Sequence, residues 1–292
     1  MTPSPTKEAA PLASDRVTVI CANSDWWKIN FRELIEYRDL FMIIVKRDLT
    51  AVYKQTVLGP LWFIIQPLVT TVVFTIVFGR VAKIDVGKVP HFIFYMSGLI
   101  FWNYFNGVLT HAANSLLSNA NLLTKVYFPR LIIPLSGVVV YLAHLALNTL
   151  VFIAFYLWYL NQGAGLEPNR WLWYIPVLIF QCALLGLGFG LWVSSLTIRY
   201  RDLRFALPFI MQLWMYATPI IFQASTVVTP LYKTIFWLNP MTAVVEFGRH
   251  AFTGQGMLYY PGLAMSWGVT FAVLISGLFL FNRMQRTFVD TI

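Results

Sequence analysis

The chain has 292 residues, of which 58% are hydrophobic and 11% are charged, and its formal net charge at pH 7 is +9. Soluble globular proteins are about 45–50% apolar and about 25% charged. The composition therefore excludes an ordinary soluble enzyme, a disordered chain and a disulfide-stapled secreted domain. The mean hydropathy of +0.67 agrees with this. We predict a polytopic membrane protein.

Six stretches without a charged residue are long enough to cross a bilayer, since a spanning helix needs roughly 20 apolar residues. They cover residues 55–79, 89–124, 131–166, 171–198, 205–232 and 250–282. None alternates polar and apolar residues as barrel strands do. The pattern predicts an all-α integral membrane protein with six transmembrane helices. The expected spans are residues 57–80, 92–113, 131–160, 172–197, 206–223 and 262–282.

Lysine and arginine are unequally divided between the two sides of these spans. With a cytoplasmic N-terminus, 15 of the 21 basic residues lie on the cytoplasmic side and 6 on the other. The positive-inside rule therefore predicts that both termini are cytoplasmic. Because these charges are dispersed among spans, nucleic-acid binding is a poor explanation for them. Residues 1–27 lack an apolar signal-peptide core, and we expect a disordered cytoplasmic tail there.

Residues 28–54 precede the first span and have an amphipathic pattern. At 100° per residue, Leu34, Phe41, Met42, Val45 and Leu49 share one face, and charged residues dominate the other. Such a helix lies in the membrane interface rather than across the bilayer. The segment is therefore predicted to be a cytoplasmic interface helix. Two roles fit it, a lipid-surface anchor and a docking surface for a cytoplasmic partner.

Residues 226–254 differ from the spans because prolines divide them into short pieces. One piece carries Glu246, Arg249 and His250, whose spacing allows pairing on one helix face. Charged groups at membrane depth need partners or a water-filled surround. The segment is therefore predicted to form re-entrant periplasmic half-helices between spans 5 and 6. An ordinary outer loop with two short helices is the alternative.

Several kinds of chemistry have no candidate residues in this chain. The spans hold no acidic side chain that could carry a coupling ion, and neither a metal-binding pattern nor a phosphate-binding loop occurs. His144, in mid-span, is interpreted as a packed, hydrogen-bonded residue. Gly186, Gly188 and Gly190 indicate close helix packing. If the chain transports actively, a separate subunit must supply the energy.

Aromatic and amide side chains form stripes on three of the predicted spans. They are Trp62, Gln66 and Thr70 in the first span, Asn103 and Asn106 in the second, and Phe209, Gln212 and Tyr216 in the fifth. Amides are costly against lipid, so these faces should turn inward. Mixed aromatic and amide surfaces suit sugars, whose C–H faces stack while their hydroxyls bond. Interhelical packing is the alternative interpretation.

Five segments carry a family resemblance. Residues 46–62 read KRDLTAVYKQTVLGPLW, 121–130 read NLLTKVYFPR, 199–202 read RYRD, 212–219 read QLWMYATP, and 238–241 read LNPM. In this order they resemble the membrane subunit of bacterial type-2 ABC exporters for lipid-linked polysaccharide, and among these most closely the O-antigen permeases. The resemblance extends over residues 28–290.

The resemblance implies that residues 55–292 form a six-span permease domain in the bacterial inner membrane. It implies a homodimer, embedded in membrane lipids, that binds two copies of a cytoplasmic ABC ATPase subunit. ATP and magnesium would bind that partner, so the chain itself would need no cofactor or metal and would not be an enzyme. The cargo would be a glycan on undecaprenyl diphosphate, passing through a channel at the dimer interface. A capsule or teichoic-acid exporter is one alternative, and a polytopic glycosyl- or acyltransferase is another.

The resemblance also assigns segments to tasks. Residues 114–130 match the coupling helix that seats in the ATPase. The residues expected to couple are Asn121, Leu122, Lys125, Val126, Tyr127, Phe128, Pro129 and Arg130. The interface helix and inner gate would use Lys46, Arg47, Asp48, Tyr53 and Lys54. The inner loop consists of Arg199, Tyr200, Arg201 and Asp202. Here Asp202 is expected to offset repulsion and to cap a helix. Trp62, Gln66, Phe209, Gln212 and Tyr216 would line the glycan path. Glu246, Arg249 and His250 would stand at the periplasmic exit.

Overall fold

The computed structural model describes residues 31–53, 59–123, 125–226 and 236–291. Within these ranges the chain forms helices and no β-strand. The predicted N-terminal tail and Lys54 lie outside the described residues, as does part of the predicted re-entrant segment. The structure describes Tyr53 as the last residue of a helix.

The helices are bounded as follows. They are α1 (Phe31–Glu36), α2 (Arg38–Tyr53), α3 (Trp62–Phe74), α4 (His91–Ser118), α5 (Ala120–Leu123), α6 (Ile132–Asn161), α7 (Ile175–Arg199), α8 (Leu203–Tyr216), α9 (Pro240–Thr253) and α10 (Tyr260–Thr291). A π-helical stretch, Thr75–Val81, continues α3, and a 3₁₀ turn, Arg170–Tyr174, precedes α7.

Five of these segments are long and apolar enough to cross a membrane. They are Trp62–Val81, His91–Ser118, Ile132–Asn161, Arg170–Arg199 and Tyr260–Met284. Each contains or overlaps one of the predicted spans, because about 20 helical residues are what a hydrocarbon core of about 30 Å requires. The chain thus has the build of a multi-pass membrane protein.

The predicted span at residues 206–223 differs from the others, because α8 ends at Tyr216. Its 14 residues extend only about 21 Å at 1.5 Å per residue. Beyond it the chain turns, and a short 3₁₀ helix, Ala224–Thr226, follows. A turn at Thr218 and Pro219 interrupts the apolar run, so a charge-free stretch here does not make a continuous helix.

The core is built around α4, which packs on α6 and α7, while α7 packs on α10. Glycines allow this close approach. A Cβ at Gly186 would lie 2.9 Å from the backbone oxygen of Phe105 on α4. A Cβ at Gly188 would lie 2.9 Å from the backbone of Leu274 on α10. The interpretation of these glycines as close-packing positions is confirmed.

The interface helix α2 has apolar residues on more than one side. Ile44 and Val45 are buried, and α2 packs against α6. Met42 and Ile43 are largely exposed. Met42, predicted to share the apolar face with Val45, is exposed, so that face is only partly buried within the subunit. The fold buries one face against α6 and leaves a second apolar face uncovered.

Candidate functional site

A buried ion pair organises the end of the subunit that the sequence predicts to be periplasmic, which we call the outer end. Nη1 of Arg249 donates to Oε1 of Glu246 over 2.7 Å, and both side chains are fully buried. Both residues lie on α9, where Asn239 caps the first turn and Gly254 ends the helix with φ +70°. Because the pair spans one helical turn, the i,i+3 spacing in the sequence correctly predicted this contact.

The pair also ties α9 to the segments around it. Nη2 of Arg249 donates to the backbone oxygen of Pro219 over 2.6 Å, and its guanidinium lies 3.7 Å from the ring centre of Phe94 on α4. Oε2 of Glu246 accepts from the backbone nitrogen of Met257 over 2.9 Å. We call these five residues the outer clamp. Both carboxylate oxygens and both terminal guanidinium nitrogens of the pair have a partner, as a buried ion pair requires, whereas Nε of Arg249 has none in the described residues.

Two of the family motifs meet at this clamp. In LNPM, Oδ1 of Asn239 accepts from Nε1 of Trp214 over 3.0 Å, and its Nδ2 donates to Oγ1 of Thr218 over the same distance. Trp214 and Thr218 belong to QLWMYATP, at the end of α8. The sequence signalled both motifs but not the role of Asn239. His250 is not part of the ion pair. The side-chain amide of Asn169 donates to its backbone oxygen, and its Nδ1 has no partner in the described residues.

The predicted coupling segment is not one helix. It comprises the end of α4, the four-residue α5, and non-helical residues 125–130. Tyr127 is 65% exposed, whereas Phe128 is 4% exposed and belongs to the hydrophobic core. Lys125 and Val126 are exposed beside Tyr127. Residues 125–127 therefore form an exposed surface, and Phe128 anchors the segment in the core.

Four further members of this segment differ in exposure. Asn121 is exposed, and Leu122 and Pro129 are half-buried. Arg130 is half-buried as well, and burial lowers the pKa of its guanidinium. The segment therefore reaches from solvent into the protein within ten residues.

A polar link joins the interface helix to the inner end of α4. Arg47 and Asp48 pair over 2.8 Å, Nη2 of Arg47 donates to Oδ1 of Asn119 over 3.0 Å, and Nε2 of His111 lies 3.3 Å from Oδ2 of Asp48. Burial alone would raise the pKa of Asp48, but hydrogen bonds from His111 and Arg47 and the charge of Arg47 hold it below its ordinary value. Asn119 directly precedes α5. Lys46, the residue before Arg47, is exposed.

The inner loop between α7 and α8 is exposed. The guanidinium of Arg199 lies 5.6 Å from the ring centre of Tyr200, whose side chain faces outward. Arg201 and Asp202 are exposed. The prediction that Asp202 caps α8 is wrong: its backbone is already helical, and its side chain makes no capping hydrogen bond. Its backbone oxygen accepts the helical bonds instead.

The aromatic and amide stripe of α8 lies on the surface of the subunit. Phe209 is 62% exposed and Tyr216 is 43% exposed, and Gln212 between them is exposed as well. Trp62 on α3 is also half exposed. Packing inside a single subunit therefore does not account for this stripe.

Gln66 lies elsewhere, at a cavity of about 290 Å³ between α3, α4 and α6. Asn103 and Asn106 line the same cavity, so the predicted inward-facing amides of the first two spans meet there. The α8 stripe does not line it. His144 does, and it stacks on Phe63, but its Nε2 has no protein partner. The interpretation of His144 as a packed residue is confirmed, without the hydrogen bond at Nε2.

Comparison with known proteins agrees with this architecture. Residues 39–253 match the family described as ABC-2 type transporter. A curated protein of Klebsiella pneumoniae named O-antigen export system permease protein RfbA is 30% identical over 254 residues, covering 86% of this chain and 94% of the relative. A second from the same species is 28% identical with the same coverage. One of the same name from Myxococcus xanthus is 26% identical over 89% of this chain and 98% of its own.

Proposed function

The chain belongs to the ABC-2 type transporter family, and we propose that it is the permease subunit of an ATP-driven exporter of undecaprenyl-diphosphate-linked, O-antigen-like polysaccharide. Members of this family are transport permeases and normally work with a cytoplasmic ATPase subunit. The proposal locates the complex in the bacterial inner membrane, with six spans per subunit and both termini in the cytoplasm.

The observation that carries the proposal is the exposed face of α8. Phe209, Gln212 and Tyr216 present rings and an amide that the described residues of the subunit leave exposed. An amide facing lipid is costly, because lipid offers it no hydrogen bond. A second copy of the chain would remove this cost by enclosing the stripe in a polar channel. Rings that stack and an amide that bonds also suit a passing sugar chain.

The inner end offers a docking surface for the ATPase. Lys125 and Tyr127 are exposed, and Phe128 beside them anchors the segment in the core. The Arg47–Asp48 link to Asn119 connects the end of α4 to the interface helix α2. Movement of the docked segment would therefore reach α2. We propose that this connection carries the effect of ATP hydrolysis to the inner gate.

An enzymatic role is less well supported. The acid or base that a glycosyl- or acyltransferase needs would have to be Glu246, His250 or Asp202. Glu246 is fully buried and paired with Arg249, so it cannot reach a substrate at the bilayer surface. A capsule or teichoic-acid exporter would use the same architecture, and only the identity of the cargo separates it from our proposal.

The proposal is tested by co-expressing the chain with ABC ATPases from its own genome, purifying the ATPase that binds it, and reconstituting both in lipid nanodiscs. We expect a complex of two permeases and two ATPases whose ATP hydrolysis rises on adding undecaprenyl-diphosphate-linked O-antigen. Undecaprenyl phosphate alone is the control for the lipid. A monomeric permease, or hydrolysis that ignores the glycan, would contradict the proposal.

A further inference from the structure

The cavity between α3, α4 and α6 is separate from the exposed α8 stripe. Its volume of about 290 Å³ lies near the lower end of small-molecule pockets, about 300–1,000 Å³, and is roughly ten times the share of one water molecule. Its inner wall is formed by buried side chains such as His144 and Asn148, and Gln66 at its edge is exposed. The cavity therefore opens along α3.

Four residues of its wall have side-chain polar groups without a hydrogen bond in the described part of the protein. They are the amides of Gln66, Asn103 and Asn148, and Nε2 of His144, a residue only 7% exposed. Other polar side chains of the wall are paired, as Thr110 is with Asn106. A buried polar group normally finds a partner, because an unpaired one costs about 1–3 kcal/mol. The buried Nε2 of His144, with three unpaired amides around the same space, therefore indicates that something else meets them.

The chemistry of the wall restricts what that ligand is. None of the lining residues is Asp, Glu, Lys or Arg, so nothing there would balance a phosphate or another full charge. Aromatic surface lies beside the amides: the Phe63 and His144 rings stack with centres 3.6 Å apart, and the Tyr141 ring centre lies 4.9 Å from that of His144. Amides beside flat rings suit a neutral ring that carries hydroxyls.

We propose that this cavity is a saccharide site within each subunit, which takes a neutral sugar of the cargo glycan beside the main channel. The inference rests on the proposed function, because the sugar comes from the exported glycan. Gln66 at the edge of α3 would receive the sugar first, and Asn103 and Asn148 would bind its hydroxyls. The diphosphate would stay outside, where the charged residues are.

Cysteine reactivity tests this in the full complex. In a Cys21→Ser background, single cysteines replace Thr70, Thr71 and Tyr216 in membrane vesicles, without nucleotide, and N-ethylmaleimide is the probe. Thr70 lines the cavity, whereas its neighbour Thr71 is fully buried and serves as the matched control. Tyr216 reports on the α8 stripe. The remaining cysteine, Cys182, is fully buried.

Two membrane preparations of the same phospholipid composition are compared, one with the lipid-linked glycan and one from cells that do not synthesise it. We expect Thr70→Cys to react without glycan and Thr71→Cys to stay unreactive. Glycan at ten times its Kd should slow Thr70→Cys about tenfold. Equal reactivity of Thr70→Cys in both preparations would overturn the proposal, and this is the result expected if phospholipid or water fills the cavity. No reactivity in either preparation would overturn it as well.

The Tyr216→Cys variant separates this inference from the proposed function. If glycan slows Tyr216→Cys but not Thr70→Cys, the saccharide site is refuted and the export function stands. If it slows neither, both are refuted.

A second variant tests the amides directly. Asn103→Leu added to Thr70→Cys should weaken glycan protection about three- to tenfold, the usual effect of one lost hydrogen bond, with the protection of each variant expressed relative to its own reactivity without glycan. Asn161→Leu, at the exposed end of α6, is the control and should leave the protection intact. Equal protection in both variants would exclude the amide as a ligand.

Discussion

The two ends of this subunit hold their charged residues in opposite ways. At the outer end, Glu246 and Arg249 are fully buried and bind each other and the backbone around them. At the inner end, Lys125 and Arg201 are exposed, and Arg47 and Asp48 bond to α4 and its C-cap residue. The outer end is thus held by buried contacts, whereas the inner end exposes charged surface.

The largest expected effect comes from breaking the outer clamp. Arg249→Met should leave the buried carboxylate of Glu246 without its counter-charge and destabilise the fold by about 3–5 kcal/mol. We expect loss of folded protein in the membrane, measured as the yield of monodisperse protein after detergent extraction. The double variant Glu246→Leu with Arg249→Met should recover much of that yield, because it removes both charges. Normal yield of Arg249→Met would contradict the clamp.

The coupling segment should separate into two classes of residue. Phe128→Ala removes a ring that is 4% exposed and should cost about 3–5 kcal/mol, which appears as lost protein. Tyr127→Ala should leave the yield near normal and uncouple ATP hydrolysis from export. Both quantities are measured on the same membranes. If Tyr127→Ala exports normally, the docking role of this surface is wrong.

Detaching the interface helix should have an intermediate effect. Asp48→Asn weakens charged hydrogen bonds worth about 1.5–3 kcal/mol to Arg47 and His111. Because the folded pKa of Asp48 is lowered, its contribution is present above its unfolded pKa and is lost as pH falls through the folded value. Thermal unfolding between pH 7 and pH 3 should therefore depend less on pH in Asp48→Asn. Identical pH profiles would argue against the link.

The α8 stripe should respond in export and not in yield. Tyr216→Ala should slow export without abolishing it, since each contact with a moving chain must be weak, and Tyr216→Trp should be tolerated because it keeps a stacking face. Export and protein level are measured together. Lost protein would instead indicate that Tyr216 packs against a neighbour.

The smallest effect is expected at Asp202. It is exposed and makes no capping bond, so Asp202→Asn should change neither assembly nor ATP hydrolysis by more than the error of measurement. A clear loss of assembly would show that the carboxylate contacts a partner.

The sequence predicted the long helices well because hydrocarbon thickness sets their length and charge marks their ends. It could not predict where α8 stops, because Tyr216 and Thr218 sit in one uncharged run and the turn depends on contacts with Asn239, 21 residues beyond Thr218. The Glu246–Arg249 pair was predictable from local spacing. The contact of Asp48 with His111 crosses 63 positions and leaves no local signal.

The same limit applies within a motif. Tyr127 and Phe128 are adjacent and chemically alike, yet one is exposed and the other buried. Tertiary packing decides which of the two rings is buried, and a single sequence carries no local signal of it.

The glycine contacts between α7 and α10 have a mechanical consequence. A Cβ at Gly277 would meet the backbone oxygen of Gly188 at 2.5 Å, so the two backbones touch at this point and a rotation of either helix would have to displace the other. Together with α4, fitted to Gly186, they form a stiff frame. Any rearrangement that opens a passage is therefore expected in α3 and α8, the helices that this frame holds only along one side.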